Sequence, residues 1–184
     1  MKIATIFGSQ RQGGTHGEIE KMLTSLNLGH EFDFIRMAET RIEGCTACQQ
    51  CVTGRCALPA TDDDHFHAVF DRLLGADVIL VITPVYAPIP SRLTALMERL
   101  LSISFYSHVF GKLERPLKGK KTAIVCYDSG KISDETQIKM IFQRYLMDDY
   151  SFTQVDYEYI NTVQNPNEKY QNVVEYVKDI AIHL

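Results

Sequence analysis

Two segments of the chain carry residue types suited to cofactor chemistry. The first is Gly8-Ser9-Gln10-Arg11-Gln12-Gly13-Gly14-Thr15-His16, which holds three glycines, two hydroxyls and one arginine. Backbone N–H groups at a helix start, hydroxyl donors and a guanidinium together suit a phosphate dianion. The segment lacks both the Lys-Ser/Thr ending of a Walker A loop and the G-x-G-x-x-G spacing of dinucleotide folds. It predicts a phosphomonoester site, and a solvated turn is the alternative.

The second segment is a cysteine cluster. Four of the five cysteines fall within twelve residues, in the pattern Cys45-x2-Cys48-x2-Cys51-x4-Cys56. Because no export signal is visible, this density favours metal or redox chemistry over a disulfide framework. Four closely spaced thiolates are the usual ligands of one iron-sulfur cubane. Redox-active thiols and structural zinc are the alternatives, with zinc disfavoured because its sites more often pair two C-x2-C units across a longer gap.

Apolar periodicity places both segments in a repeating β/α pattern. It predicts N-caps at 62–64 and at Ser91 for the second and third helices. The predicted strands are 2–7, 31–36, 78–82, 122–127 and 152–160, and the helices are 16–26, about 66–73, 91–100, 134–147 and 168–182. Five β/α units predict a doubly wound α/β sheet of parallel strands with helices on both faces. In such a sheet the loops at Gly8, Thr83 and Tyr127 converge at the ligand-binding edge, and the long connection 37–61 projects over it.

The first segment also resembles a known family loop. Its residues are similar to the G-S-P-R-x-x-G-N-T loop of the NADPH-dependent FMN reductase family of flavodoxin-like proteins, which includes an iron-sulfur flavoprotein branch. Gln10 stands for the usual proline. The resemblance spans about Lys2 to Tyr127 and implies the strand order 2-1-3-4-5. It also implies that the FMN phosphate is contacted by Ser9, Arg11, Gly14, Thr15 and His16.

Two further segments extend the resemblance. Thr83-Pro84-Val85-Tyr86, followed by Ser91, Leu96 and Glu98-Arg99, is similar to the family's P-V-Y loop and its S-x-x-L-K-x-x-x-D-R helix, with Ala95 and Glu98 replacing Lys and Asp. The likeness implies flavin-ring contacts from Thr83, Pro84, Val85, Tyr86 and Ala87. Asp128, Ser129 and Gly130 stand where the family carries a glycine-containing loop against the flavin, and a capped turn is the alternative.

The resemblance implies an FMN-dependent oxidoreductase that passes electrons from NAD(P)H through FMN to a quinone, a flavin or another acceptor. No side chain is assigned to proton transfer. The first alternative is an iron-sulfur flavoprotein that carries electrons on a 4Fe-4S cluster held by Cys45, Cys48, Cys51 and Cys56. The second is a thiol-based sensor or zinc module without flavin.

Composition limits the remaining possibilities. The chain has 184 residues, 45% of them hydrophobic, and a formal net charge of −4. We expect one flavodoxin-like domain over 1–184 with a cysteine-rich loop at about 37–61. The sequence has no basic stripe that would indicate a nucleic acid partner, and it has no apolar run long enough to span a membrane. We therefore expect a cytoplasmic protein. Its expected partner is a small-molecule acceptor or a redox protein, and the resemblance implies a homodimer or homotetramer.

Overall fold

The computed structural model describes residues 1–86, 89–128, 134–147, 153–161 and 171–184. Their centre is a sheet of five parallel strands in the order β2-β1-β3-β4-β5, which confirms the predicted fold and order. The strands are β1 (Lys2–Phe7), β2 (Glu31–Arg36), β3 (Val78–Pro84), β4 (Lys121–Asp128) and β5 (Thr153–Asn161). The sequence predicted the first two strands with these bounds, and β3 runs two residues further than predicted.

Helices cover both faces of this sheet. They are α1 (Gly14–Ser25), α2 (Phe66–Leu74), α3 (Ser91–Val109), α4 (Glu135–Phe142) and α5 (Gln171–His183), with a 3-10 turn at Cys51–Thr53 and a π-helical turn at Gln143–Met147. Alternate residues of each strand point to opposite faces, so the core has two halves. One half packs α1 and α5 against residues such as Leu80 and Val125. The other packs α2, α3 and α4 against residues such as Val81 and Cys126, which is buried as predicted.

The predicted cap of α3 is wrong. Pro90 occupies the N-cap position with a φ of −53°, and no side chain caps the helix. Ser91 is therefore already inside the first turn, and its hydroxyl accepts a hydrogen bond from Gln10 Nε2 at 2.7 Å. The serine thus ties the start of α3 to the loop after β1.

The predicted cap of α2 lies one residue away from the observed one. His65 is the N-cap and makes no side-chain cap bond. Asp64, just before it, accepts the Phe66 N–H through Oδ1 at 3.2 Å, so the acidic run still supplies an acceptor for the first turn.

Two loops and the end of β4 meet at the carboxyl edge of the sheet. The Gly8 N–H donates to Ile82 O at 2.9 Å, and the Val85 N–H donates to Tyr127 O at 2.8 Å. The loops after β1 and β3 are therefore held side by side with the end of β4, as a doubly wound sheet requires for a ligand site. Within the described ranges, no helix combines the length and apolar character needed to cross a bilayer.

Candidate functional site

The loop after β1 lies directly against the end of β3. A Cβ added to Gly8 would lie 2.3 Å from Thr83 Oγ1 and 2.9 Å from Leu93 Cδ2, so only glycine leaves room for this approach. Gly13 and Gly14 are glycines for another reason. Their φ values of 72° and 60° lie in the left-handed region, and a Cβ there would meet nothing within 4 Å.

The start of α1 offers backbone donors. Its N-cap is Gly13, which has no side chain to accept the first N–H groups of the helix. Such N–H groups carry the positive end of the helix dipole, so they bind anions well. Ser9 Oγ accepts the Arg11 N–H at 3.0 Å and fixes the loop that leads to them. This arrangement suits the phosphate of a cofactor.

A cavity of about 230 Å³ opens at this point. It brings the loop after β1 and the loop after β3 together in one site. The described residues that line it are Ser9, Arg11, Gln12, Gly13, Gly14, Thr15, His16, Pro84, Val85, Tyr86 and Tyr127.

Two predicted cofactor residues lie elsewhere. Thr83 is fully buried behind the cavity, where its hydroxyl donates to Pro84 O at 3.0 Å. Asp128 is buried at the end of β4 and does not belong to the lining. Ala87, Ser129 and Gly130 lie outside the described residues.

Arg11 supplies positive charge to the cavity. Among the described residues of the lining it is the only lysine or arginine. Arg36 lies in the adjoining cavity, but its guanidinium is bound to Glu20, with Nε donating to Oε2 at 2.8 Å. Arg11 is therefore the cation available to a bound phosphate.

His16 is a buried, neutral member of the lining. Its imidazole stacks at 4.8 Å on the Phe7 ring, and its Nε2 lies 3.1 Å from the Tyr127 hydroxyl. Burial lowers the pKa of His16 from 6.5 to about 4, because the imidazolium would lose its hydration. At neutral pH the side chain therefore offers polar atoms without charge.

Tyr127 was not among the predicted contacts. It belongs to β4, and the two-residue alternation puts it on the same face as Val125, toward α1. That alternation was the signal that could have placed it beside His16. At the mouth of the cavity Tyr86 is 45% exposed, which leaves an aromatic face open for a flat ligand.

The four clustered cysteines line a second cavity. It holds Cys45, Cys48, Cys51 and Cys56, and its other walls include Arg99, Ser102 and Tyr106 of α3. All four thiols are free. The space between them is about 10 Å³, room for roughly one water molecule.

Local contacts orient the cysteine segment. Ala47 and Gln49 adopt positive φ values of 52° and 62°, which turn the chain sharply on either side of Cys48. Cys45 Sγ lies 3.3 Å from Ser102 Oγ and accepts the Ala47 N–H at 3.4 Å. Burial and the neighbouring thiols raise the pKa of Cys51 to about 11, so this thiol stays protonated at neutral pH.

Arg99 joins this second cavity to the core. The side chain is 1% exposed, and its guanidinium donates to Asp64 Oδ2 at 2.5 Å and to Cys56 Sγ at 3.1 Å. The Phe66 ring covers it at 3.9 Å. A planar guanidinium makes these contacts together, which a lysine ammonium does not reproduce.

The four cysteines are close neighbours without forming a single-ion site. In the parts of the chain that the structure describes, no three histidine, cysteine or acidic side chains are arranged to hold a metal ion. Sequence reasoning found the four cysteines and matched Arg99 to the family helix, but it did not place Arg99 beside the cysteines, because the partners of Arg99 lie far away in the chain.

The fold and the cavity at the carboxyl edge define a flavodoxin-like α/β protein with a glycine-rich loop after β1. The chain belongs to the NADPH-dependent FMN reductase family, whose sequence pattern matches residues 1–147. This confirms the resemblance.

Individual relatives agree with this assignment. The chain is 30% identical over 87 residues to an iron-sulfur flavoprotein of Archaeoglobus fulgidus, covering 47% of this chain and 41% of that protein. It is 30% identical over 105 residues to an iron-sulfur flavoprotein of Methanocaldococcus jannaschii, covering 56% and 52%. The chain thus spans about half the length of these curated relatives. A solved NAD(P)H:quinone oxidoreductase from Methanothermobacter marburgensis shares the fold, with a TM-score of 0.71, 14% identity and coverage of 99% and 98%.

Proposed function

We propose that the chain binds FMN at the carboxyl edge of the sheet and acts as an oxidoreductase that passes electrons from NAD(P)H to a quinone, a flavin or another acceptor. One observation carries this proposal. The phosphate loop after β1 and the loop after β3 line the same cavity of about 230 Å³. Family membership supports the same cofactor.

The chain's own groups suit the phosphate end of FMN. The N–H groups of the first turn of α1 and the Ser9 and Thr15 hydroxyls supply donors, and Arg11 adds a charge-assisted one. The glycines at 13 and 14 leave this backbone uncovered. These residues would hold the phosphate and so fix the position of the rest of the cofactor.

The loop after β3 would hold the ring end. Pro84 has no N–H, and the Val85 N–H donates to Tyr127 O at 2.8 Å. Donors to the polar edge of a bound ring therefore have to come from Tyr86 and the residues after it. FMN, when bound, supplies the exchange of two electrons between nicotinamide and acceptor. The protein supplies binding, orientation and an open face beside Tyr86.

A visible spectrum tests the proposal directly. The purified chain is mixed with FMN, freed of excess by gel filtration, and titrated without oxygen with NADH and with NADPH. Bound flavin absorbance that bleaches with a nicotinamide and returns with a quinone is the expected result. Failure to retain FMN would contradict the proposal, and retained FMN that neither nicotinamide reduces would contradict the oxidoreductase step alone.

A second candidate concerns the cysteine cavity. An iron-sulfur electron carrier is favoured by the four thiols that line one cavity and by the Arg99 donor on Cys56. The donor set suits a 4Fe-4S cluster, whereas the space between the thiols does not admit one unless the segment moves.

Anaerobic reconstitution with iron and sulfide tests this candidate. Four irons per chain, lost in Cys48→Ser but kept in Cys126→Ser, would support it. Cys126 is the matched control because it is a buried cysteine of β4 that does not line the cysteine cavity. Iron uptake that is equal in both variants would contradict it.

A further inference from the structure

His16 occupies an unusual place for a histidine. It lies in the first turn of α1, is 6% exposed, and lines the cavity that we assign to the FMN phosphate. The family loop carries a hydroxyl residue where this chain has His16. The chain thus places a titratable ring where an anion is expected to bind.

The surroundings of His16 are nearly uncharged. Phe7 of β1 stacks on one side of the ring and Tyr127 of β4 approaches it edge-on, 5.9 Å between ring centres. Its Nε2 lies within hydrogen-bond distance of the Tyr127 hydroxyl. The charged groups that share its two cavities are Arg11 in the loop, Glu20 one turn along α1, and Arg36 and Glu39 from β2 and the residues after it.

These charges largely offset each other. Arg36 is bound to Glu20, and it also lies 3.9 Å from Glu39. Burial is accordingly the cause that lowers the pKa of His16, and no carboxylate opposes it. The state of the imidazole therefore depends on whether an anion enters the cavity.

We propose that His16 couples FMN binding to proton uptake: the imidazole is neutral in the free protein and takes a proton from solvent at Nε2 when the cofactor phosphate binds. The inference rests on the proposed FMN site. It assigns His16 a role that a threonine or asparagine at this position does not have.

The contact with Tyr127 is compatible with both the neutral and the protonated imidazole of His16. A phenol hydroxyl donates or accepts, so it donates to Nε2 of the neutral ring and accepts from the Nε2–H of the imidazolium. In the Nδ1–H tautomer of the neutral ring, Nε2 is the atom that gains the proton. Protonation therefore adds a charge without breaking the hydrogen bond to β4.

The attraction between the imidazolium and a bound phosphate is large enough to offset the cost of burying the charged ring, which favours protonation of His16 in the complex. Lowering a pKa from 6.5 to about 4 disfavours the imidazolium roughly 300-fold. A full charge pair in contact near a protein surface favours the charged form by about a thousandfold, and a phosphate monoester is mostly a dianion at pH 7. The bound anion raises the pKa of His16, so the extra affinity is present at low pH and is lost as pH rises.

Calorimetry measures the uptake directly. FMN is titrated into the flavin-free chain at pH 7 in PIPES and in Tris, whose different ionisation enthalpies report the protons exchanged. His16→Gln is the matched variant, because its amide reaches the Tyr127 hydroxyl but does not titrate. We expect the wild-type chain to take up about half a proton more than His16→Gln. Riboflavin, which lacks the phosphate, should show no such difference.

Affinity gives a second readout. The ratio of wild-type to His16→Gln affinity for FMN should fall about tenfold between pH 6 and pH 8. Equal proton uptake, or a ratio that does not change with pH, would overturn the inference while leaving the FMN site intact. Failure of both flavins to bind would instead overturn the proposed function.

A wild-type measurement covers the case in which His16→Gln does not fold. The ring ¹⁵N shifts of His16 at pH 7 distinguish imidazole from imidazolium. A change toward imidazolium on adding FMN, absent with riboflavin, is the expected result. Neutral shifts in both complexes would overturn the inference.

Discussion

Replacing Gly8 by alanine tests whether the loop after β1 has to lie directly on β3. The added Cβ would lie 2.3 Å from Thr83 Oγ1, 2.7 Å from Thr83 Cβ and 2.9 Å from Leu93 Cδ2. Both neighbours are buried, so neither side chain has an exposed position to move into. Overpacking of this kind costs about 1–3 kcal/mol, and contacts this short with a buried Cβ place Gly8→Ala near the upper end.

Thermal unfolding of the flavin-free chain measures this cost. In a domain of this length 1 kcal/mol corresponds to about 2–4 °C, so the Tm should fall by about 4–12 °C. The matched control is Gly17→Ala in α1, where a Cβ meets nothing within 4 Å. Because alanine favours helix over glycine, the control should gain up to about 1 kcal/mol.

FMN affinity is the second readout of this change. Moving the loop away from β3 displaces the Ser9 and Arg11 donors, so Gly8→Ala should also bind FMN more weakly than Gly17→Ala. A Gly8→Ala chain that unfolds at the wild-type temperature and binds FMN as tightly would refute the reasoning that contact with β3 selects the glycine.

Three further changes follow from the two cavities. Arg99→Met leaves the buried Asp64 carboxylate without its counterion, so it should lower the free energy of unfolding, measured in urea, by about 3–5 kcal/mol. An unchanged urea midpoint would show that the ion pair is not needed for stability. Because the pKa of His16 is about 4 when folded and 6.5 when unfolded, its burial stabilises the protein above pH 6.5, and that stability is lost as pH falls through 4. Between pH 7 and pH 4 the wild type should lose about 2–3 kcal/mol more than His16→Gln, and parallel losses would contradict the assigned pKa. Arg11→Gln should weaken FMN binding about 10-fold to 100-fold and riboflavin binding little in fluorescence titrations, and equal weakening of both would exclude a phosphate contact.

Much of the sheet was predictable because its strands are strongly apolar and end at clear breakers. Val78 to Ile82 is a continuous apolar run that becomes a fully buried central strand. The alternation of Phe32 and Phe34 with charged residues predicted β2, in which these two rings are partly buried. The glycine-rich loop between β1 and α1 was also predicted, and its Gly13 and Gly14 adopt positive φ values that glycine adopts most easily.

The remaining features depend on contacts between distant residues. The sequence predicts Ser91 as the N-cap of α3, but Pro90 occupies that position. The Ser91 hydroxyl instead accepts a hydrogen bond from Gln10 of the loop after β1. Arg99 falls among the apolar positions of α3, and its partner Asp64 lies 35 residues earlier in the chain. Local periodicity contains no information about either contact, because both are set by how the elements pack.

Helix α3 contacts the loop after β1 and lines the cysteine cavity, and this restricts how its length can change. Ser91 at its start binds Gln10 of the phosphate loop, while Arg99 and Ser102 reach Cys56 and Cys45 further along. Each residue advances a helix by about 100° and 1.5 Å. One residue inserted between Ser91 and Arg99 would rotate both cysteine contacts by about 100°, away from the cavity, without altering any side chain. Insertions and deletions in this stretch should therefore disrupt the protein more than substitutions do. The rotation of α3 about its own axis determines whether one helix can contact both the loop after β1 and the cysteine cavity.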